Sequence, residues 1–353
     1  MISAVKTVSH PSRWLFSFTG AIVFWALSAC SEQTAPIQLG GQSMGTSWHV
    51  TVVPGKGTPS IEVLQQGIEA ELETVNRSMS TYREDSEISR FNAIGVDQWF
   101  EISPDMETVL SAAMAIGWQS NGAYDVTVGP LVDLWGFGPP GPVMAPPSND
   151  AIQAVLERVG QDHLQLDGEG LRLMKRSPVQ LDLSSIAKGF AVDRVAQWLG
   201  AQGVERYLVE VGGEMRLAGL SARGDPWRIA IERPESGDRA VERAIRLTDL
   251  GVATSGDYRN FFEVDGKRYS HSIDPHSGYP VAHDLVSVTV LHPSSMMADG
   301  WATALVVLGY EKAMAVAQEQ GLAVYFIRRQ GDAFVETHTP AFEPFLEQSG
   351  AEN

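Results

Sequence analysis

Cysteine is nearly absent from this chain, because Cys30 is the only one among 353 residues. An internal disulfide is therefore impossible. The chain after Cys30 has no thiol nucleophile, no cysteine ligand for zinc and no cysteine-rich site for an iron–sulfur cluster. Any chemistry in that part of the chain must therefore use oxygen and nitrogen groups.

Basic residues are also scarce. The chain has 26 Lys and Arg against 43 Asp and Glu, which gives a net charge of −17. Nucleic acids are bound by basic surfaces, so we expect no nucleic-acid partner. The hydrophobic fraction of 44% is ordinary for a globular protein, and the length suits one large domain or two small ones.

Long apolar runs are missing except near the N-terminus. Residues 14–29 carry no charge, follow Lys6 and Arg13, and form a run that is short for a membrane span. The run ends in LSAC at 27–30, which resembles the lipobox of bacterial lipoproteins. We therefore predict a signal peptide over 1–29 and lipidation of Cys30, with an ordinary buried cysteine as the alternative.

The rest of the chain is predicted to contain one folded domain. We expect a polar, glycine-rich tether over 30–42, the domain over 43–340 and a polar tail over 341–353. Predicted helices, two of them capped by Ser103 and Asn149, are 60–78, 104–120, 149–159, 187–199, 295–308 and 310–320. Predicted strands or hairpins are 46–53, 164–174, 179–184, 206–211, 215–219, 227–233, 244–248, 258–271, 286–291 and 323–328, the last closing the sheet. This irregular mixture favours an α+β fold with a mixed, largely antiparallel sheet and packed helices.

Asp299 and Thr303 are four residues apart at the start of a predicted helix, so they share one helix face. A carboxylate and a hydroxyl are hard oxygen ligands that suit Mg²⁺. In the alternative interpretation, Asp299 only caps the helix or interacts favourably with its dipole. The spacing leaves both interpretations open.

The sequence LDLSSIAKG at 181–189 joins a predicted strand to a predicted helix. A helix N-terminus offers backbone N–H groups to an anion, and Lys188 adds a positive charge within one turn. Together they suit a pyrophosphate group. The alternative is a capped helix with one surface lysine.

A third candidate is the loop 269–280, with the sequence YSHSIDPHSGYP. Its Pro, Gly, Ser and Asp content indicates a tightly specified turn. His271 is a candidate general base near neutral pH. The alternative is a purely structural role, which is the commoner one for a lone histidine. The glycines at 122 and 212–213 are weaker signals, and the usual nucleotide-binding, zinc-protease and nucleophile-elbow motifs are absent.

Taken together, seven segments resemble, in order, the ApbE family of FAD:protein FMN transferases. The segments are MGT at 44–46; MSTY at 79–82 with SEISRFN at 86–92; YDVTVGP at 124–130; DLSSIAKG at 182–189; VGGE at 211–214; HSIDP at 271–275 with Gly278 and Pro280; and ADG at 298–300 with Thr303. The resemblance implies an ApbE-like fold for the domain.

The resemblance also implies roles for individual residues. Asp299, Thr303 and the backbone carbonyl of Ser185 match Mg²⁺ ligands, while His271 matches the reactive-centre histidine and is implied, with Asp299, to be catalytic. The implied FAD contacts are Met44, Tyr82, Ala123, Tyr124, Asp125, Asp182, Lys188 and Ile273. Some relatives have a second Asp where this chain has Ala302, so fewer carboxylates and more phosphate or water oxygens are expected around the metal.

The implied activity is Mg²⁺-dependent transfer of FMN from FAD to a Thr or Ser hydroxyl of an acceptor protein, with release of AMP. The alternatives are an Mg²⁺-dependent FAD pyrophosphatase and a non-catalytic periplasmic flavin-binding lipoprotein. The implied acceptors are flavoprotein subunits of respiratory redox complexes. The implied location is the periplasm, with a lipid anchor in the inner membrane favoured over one in the outer membrane.

Overall fold

The computed structural model describes residues 35–234, 241–256, 261–264 and 266–346. The predicted signal peptide over 1–29, Cys30 and the chain beyond residue 346 lie outside the described residues. Within these ranges, no helix has both the length and the apolar character that crossing a membrane requires.

The main sheet has eight strands in the order β1-β2-β6-β7-β10-β13-β14-β15, and each neighbouring pair is antiparallel. Three smaller antiparallel sheets have the orders β3-β5-β4, β8-β9 and β11-β12. The strands are β1 (Ile37–Ser43), β2 (Thr46–Val52), β3 (Phe100–Glu101), β4 (Leu164–Asp167), β5 (Arg172–Lys175), β6 (Tyr207–Val211), β7 (Glu214–Ala218), β8 (Trp227–Glu232), β9 (Val241–Leu247), β10 (Gly251–Gly256), β11 (Phe261–Val264), β12 (Lys267–Ser270), β13 (Leu285–His292), β14 (Ala323–Gln330) and β15 (Ala333–His338). The predicted α+β class is confirmed.

Several helices form where apolar spacing and a serine N-cap agree. In the first helix, Ser60 accepts the backbone N–H of Val63, and the apolar positions at helical spacing form one buried face. The α-helices are α1 (Ile61–Met79), α2 (Glu87–Ala93), α3 (Pro104–Gln119), α4 (Gly129–Leu134), α5 (Asn149–Leu156), α6 (Ala187–Ala201), α7 (Ser295–Leu308) and α8 (Tyr310–Glu319), and 3₁₀ helices span Gln161–His163 and Pro340–Phe345. Ser103 caps α3 as predicted, but Ser148, not Asn149, caps α5.

The two faces of the main sheet are covered differently. Helices α1, α6 and α7 pack over one face and share the larger apolar core with it. The β8-β9 hairpin and the last 3₁₀ helix share a second apolar core with residues of the main sheet. Helix α7 contacts α6 as well as β10 and β13, so it lies between a neighbouring helix and the main sheet.

Both ends of the predicted domain were placed wrongly. Residues 37–42, predicted to belong to the tether, form most of β1, which pairs along its whole length with β2. A Cβ atom at residue 41 would lie 2.8 Å from the ring of Trp48. Gly41, one of the glycines that suggested a tether, is therefore required by packing. At the other end, Phe342 is fully buried against Tyr325, so the predicted polar tail begins inside the structure.

The predicted strand over 179–184 is also wrong. Only an isolated bridge forms there, between Gln180 and Val128. The side-chain amide of Asn92 replaces a neighbouring strand, since its Oδ1 accepts the N–H of Leu181 at 2.8 Å and its Nδ2 donates to the carbonyl of Leu181 at 2.9 Å. The prediction that residues 323–328 close the sheet fails as well, because β15 pairs outside β14.

Candidate functional site

The N-terminal turns of α6 and α7 approach each other closely, and this contact builds the candidate site. The backbone N–H of Gly189 donates to Oδ2 of Asp299 at 2.9 Å. A Cβ on Gly189 would lie 2.7 Å from Cβ of Asp299 and would clash with the carbonyl of Ser295. Glycine at this position therefore allows the two helices to touch.

Asp299 does not cap its own helix. The hydroxyl of Ser294 caps α7, and the carboxylate of Asp193 accepts the N–H groups of Ser295 and Met296. Asp299 lies in the second turn of α7 and is 2% exposed. The interpretation of Asp299 as the cap of α7 is therefore wrong, and its carboxylate instead binds the start of α6.

Lys188 lies between two acids. Its Nζ is 3.0 Å from Oε1 of Glu214 and 3.9 Å from Oδ1 of Asp299. Burial raises the pKa of Asp299 to about 8, against the opposing effect of Lys188. Burial by itself would lower the pKa of Lys188, but Asp299 and Glu214 together raise it above its ordinary value. Lys188 therefore stays charged, and an additional cation nearby would favour the ionised form of Asp299.

Hydroxyl groups surround these charges. Oγ1 of Thr303 is 3.1 Å from Oγ of Ser255, at the end of β10. The hydroxyl of Tyr124 is 2.9 Å from Oγ of Ser185. Oxygen donors of this kind suit Mg²⁺ better than softer metals. No group of three His, Cys, Asp or Glu with metal-binding geometry occurs within the described ranges, so a cation here would depend on hydroxyl, carbonyl and ligand oxygens.

The charged groups line a cleft of about 240 Å³ that adjoins a second cavity of about 580 Å³, with Ser184 and Lys188 lining both. The first contains the predicted site residues Ala123, Tyr124, Asp125, Asp182, Ser185, Lys188, His271, Ile273, Asp299 and Thr303. The second contains Met44, Tyr82 and, again, Lys188. The structure thus brings together every predicted site residue within its described part, while Cys30 lies outside it.

Two of the predicted ligand contacts also hold local turns. The carboxylate of Asp125 accepts the N–H and hydroxyl of Thr127 through Oδ1 and the N–H of Gln161 through Oδ2. Oδ1 of Asp182 accepts the N–H of Ser184 at 2.8 Å, which shapes the turn into α6. These acids therefore position the cleft wall.

Tyr82 and His271 both contact Phe137. Tyr82 is 71% exposed, and its hydroxyl donates to the carbonyl of Phe137 at 3.4 Å. The rings of Phe137 and His271 are 6.3 Å apart in a T-shaped arrangement. The loop after His271 is fixed by Trp135, whose Nε1 donates to the carbonyl of Gly278 at 2.8 Å. Tyr82 thus presents an open ring face, while His271 is held at the cleft.

Comparison with known proteins agrees with this geometry. The model of the ApbE family matches residues 44–326. The chain belongs to the ApbE family.

Relatives in this family are similar over nearly their whole length. A Vibrio cholerae protein named FAD:protein FMN transferase is 44% identical over 95% of this chain and 99% of its own, and one from Haemophilus influenzae is 47% identical over 91% and 95%. The solved flavin transferase ApbE from Vibrio cholerae superposes with a TM-score of 0.83 at 45% identity, covering 88% of this chain and 99% of that chain. The apo flavinyl transferase ApbE from Pseudomonas stutzeri gives 0.82 at 43% identity, over 88% and 97%.

Sequence reasoning assigned no role to several residues of the ApbE-family cleft. Glu214 is part of the VGGE segment, but an acid after a glycine turn also suits an exposed hairpin. Thr254 and Ser255 went unnoticed because β10, with the sequence GVATSG, has no alternating pattern. The contacts of Lys188 with Glu214 and Asp299 would have indicated the site, but they exist only in the folded chain.

Proposed function

We propose that this chain is an Mg²⁺-dependent FAD:protein FMN transferase, which moves FMN from FAD to a Thr or Ser hydroxyl of an acceptor protein and releases AMP. The observation that carries the proposal is the position of Lys188 and Asp299 beside each other, where two adjoining cavities meet. A dinucleotide needs room on both sides of its diphosphate, and this arrangement provides it.

Lys188 is the group best placed to hold the diphosphate. The N-terminus of α6 offers less than its sequence suggests, because the N–H of Ala187 already donates to Leu183 and that of Gly189 donates to Asp299. The ammonium group of Lys188 therefore supplies the positive charge at this point, with the helix dipole adding to it.

The oxygen groups fit a magnesium ion. Asp299, Thr303 and the backbone carbonyl of Ser185 would hold Mg²⁺, with phosphate and water oxygens completing its shell. When bound, the ion supplies charge neutralisation for the diphosphate in the transition state. Ala302 is fully buried in the apolar core and provides no second carboxylate.

His271 is the proposed base. The acceptor hydroxyl oxygen forms a bond to the FMN-side phosphorus, the bond from that phosphorus to the bridging oxygen breaks, and the bridging oxygen leaves as part of AMP. The imidazole of His271 takes the hydroxyl proton. Tyr82 packs its exposed ring against an aromatic ring of FAD.

Location and acceptor are part of the same proposal. The lipobox at 27–30 supports a periplasmic lipoprotein anchored through Cys30, with the inner membrane favoured over the outer. The acceptors are flavoprotein subunits of respiratory redox complexes.

The test combines the purified protein, FAD, Mg²⁺ and a candidate acceptor domain. We expect flavin fluorescence on the acceptor in a denaturing gel and one AMP for each flavin transferred. EDTA stops the reaction and excess Mg²⁺ restores it. FMN and AMP in solution without labelled acceptor would instead indicate a pyrophosphatase, and tightly bound, unreacted FAD would indicate a flavin-binding lipoprotein.

A further inference from the structure

Glu214 is a buried acid in the cleft with one carboxylate oxygen unaccounted for. It begins β7 directly after the turn formed by Gly212 and Gly213, whose φ values are 62° and 106°. The side chain lines the first cavity, and the residue is 4% exposed. Its Oε1 accepts a hydrogen bond from Lys188, but Oε2 is buried and has no hydrogen-bond partner in the described part of the chain.

An unpaired buried carboxylate oxygen is costly, so a hydrogen-bond donor is expected beside it. Two donors beside the acids of the cleft, the Nζ of Lys188 and the N–H of Gly189, are already engaged. Lys188 is shared between the two acids, and the N–H of Gly189 donates to Asp299. Because Glu214 lines the cleft, a group bound in the cleft can supply the donor that Oε2 lacks.

The chemistry of the proposed cleft occupants limits which of them can donate a hydrogen bond to Oε2 of Glu214. An ionised diphosphate has no hydrogen to donate and is repelled by a carboxylate. Direct binding of one cation by both acids is also disfavoured, because Nζ of Lys188 lies between Glu214 and Asp299. A water molecule on the cation carries a strongly polarised hydrogen and reaches further than the ion itself.

We propose that Glu214 is a positioning residue that accepts, through Oε2, a hydrogen bond from a water molecule bound to the divalent cation, while Oε1 holds Lys188 toward the diphosphate. This inference rests on the proposed function, since it concerns the same cation. It adds a second acid to the site without adding a direct ligand, and it gives the VGGE segment a chemical role.

The experiment measures cation affinity directly. Free Mn²⁺ is titrated by electron paramagnetic resonance against protein saturated with FAD, without acceptor, and FAD affinity is measured separately in EDTA by flavin fluorescence. We expect Glu214→Gln to weaken Mn²⁺ binding about tenfold, as loss of an outer-sphere partner does. FAD affinity in EDTA should change less than about twofold, because the amide oxygen can still accept from Lys188.

Glu210→Gln is the matched control. Glu210 lies at the end of β6 on the same hairpin, but its Oε1 accepts the N–H of Gly213 and its Oε2 contacts His49, outside the cleft. The Mn²⁺ affinity of the Glu210→Gln variant should equal that of the unmodified protein. Unchanged Mn²⁺ affinity in Glu214→Gln would overturn the inference, as would a fall in FAD affinity in EDTA larger than the fall in Mn²⁺ affinity.

A second measurement needs no variant and so does not depend on the folding of Glu214→Gln. A crystal structure of the unmodified protein with FAD and Mn²⁺ should show a metal-bound water within hydrogen-bond distance of Oε2 of Glu214. Direct ligation by Glu214, or an Oε2 facing a ribityl hydroxyl, contradicts the inference. Both measurements report on binding alone, so the inference can hold even if transfer to an acceptor is never observed.

Discussion

Two lysines, one buried and one partly exposed, show how differently this fold uses the same side chain. Lys175, at the end of β5, is 2% exposed, and its Nζ donates to the backbone carbonyls of Phe91, Asn92 and Val179 at 3.3, 2.8 and 3.3 Å. The side chain of Lys188 is 28% exposed, contacts two carboxylates and lines both cavities.

The surroundings also move the two pKa values in opposite directions. Burial lowers the pKa of Lys175, and no carboxylate among the described residues opposes that effect. Glu214 and Asp299 raise the pKa of Lys188 despite its burial. Burial alone therefore does not identify a functional lysine. A lysine satisfied by carbonyls stabilises the fold, whereas one held by acids at a cavity wall is positioned for a ligand.

The largest effect is expected from removing Asp299, one of the two acids that distinguish the surroundings of Lys188 from those of Lys175. Asp299→Ala should reduce FMN transfer to background, because the cation loses its only proposed carboxylate ligand, while FAD affinity falls less than turnover. Transfer is measured by in-gel fluorescence and FAD affinity by flavin quenching. Full activity in this variant would remove the metal assignment.

His271→Ala should slow transfer by about 10²- to 10⁴-fold without weakening FAD binding, because it removes the base and leaves the dinucleotide contacts. His276→Ala is the control, since His276 lies in the same loop and its side chain is 64% exposed. An equal loss in both variants would assign the effect to the loop and not to the imidazole of His271.

A direct comparison of the two lysines separates function from stability. Lys188→Met should weaken FAD binding about tenfold or more through loss of a charge-assisted contact. Lys175→Met should leave FAD binding of the folded protein unchanged but lower the free energy of unfolding by about 1–3 kcal/mol, because three buried carbonyls lose their donor. Urea titrations and FAD binding are measured for both variants. If Lys175→Met weakened FAD binding as much as Lys188→Met, the proposed division between a stabilising lysine and a ligand-binding lysine would be wrong.

The smallest expected effect is a pH dependence of stability in the metal-free protein. The pKa of Asp299 is raised to about 8 in the folded state, from an ordinary 3.8, so the folded protein keeps a proton that the unfolded chain releases between these values. The contribution of Asp299 to stability therefore declines as pH rises from about 4 to 8. Urea unfolding in EDTA at pH 5.5 and 8 should show a smaller decline for Asp299→Asn than for the unmodified protein. Equal declines would show that Asp299 titrates normally.

Local patterns were sufficient for much of the fold. The predicted bounds of α1, α3 and α7 lie close to the observed ones, because apolar spacing, and at α3 the Ser103 cap, act within a few turns of the chain. Strands β1 and β10 were not predicted because the glycines in them have low strand propensity. Packing against a neighbouring residue requires glycine at such positions, as the ring of Trp48 does at Gly41. The segment 179–184 resembles a strand but is paired by the side chain of Asn92, an interaction invisible to periodicity.

The sequence by itself determined the types of residue available for chemistry after Cys30: no thiol, many acids, one lysine beside the helix start at 187 and two histidines in the loop 269–280. Only the tertiary structure decided which of them act together. Asp299 and Lys188 are distant along the chain, and their meeting depends on Gly189 allowing α6 to touch α7 and on Glu214 arriving from a strand in the main sheet. Propensities act over a few neighbouring residues, whereas the electrostatics of a buried cluster depend on distances that are set when separate elements pack.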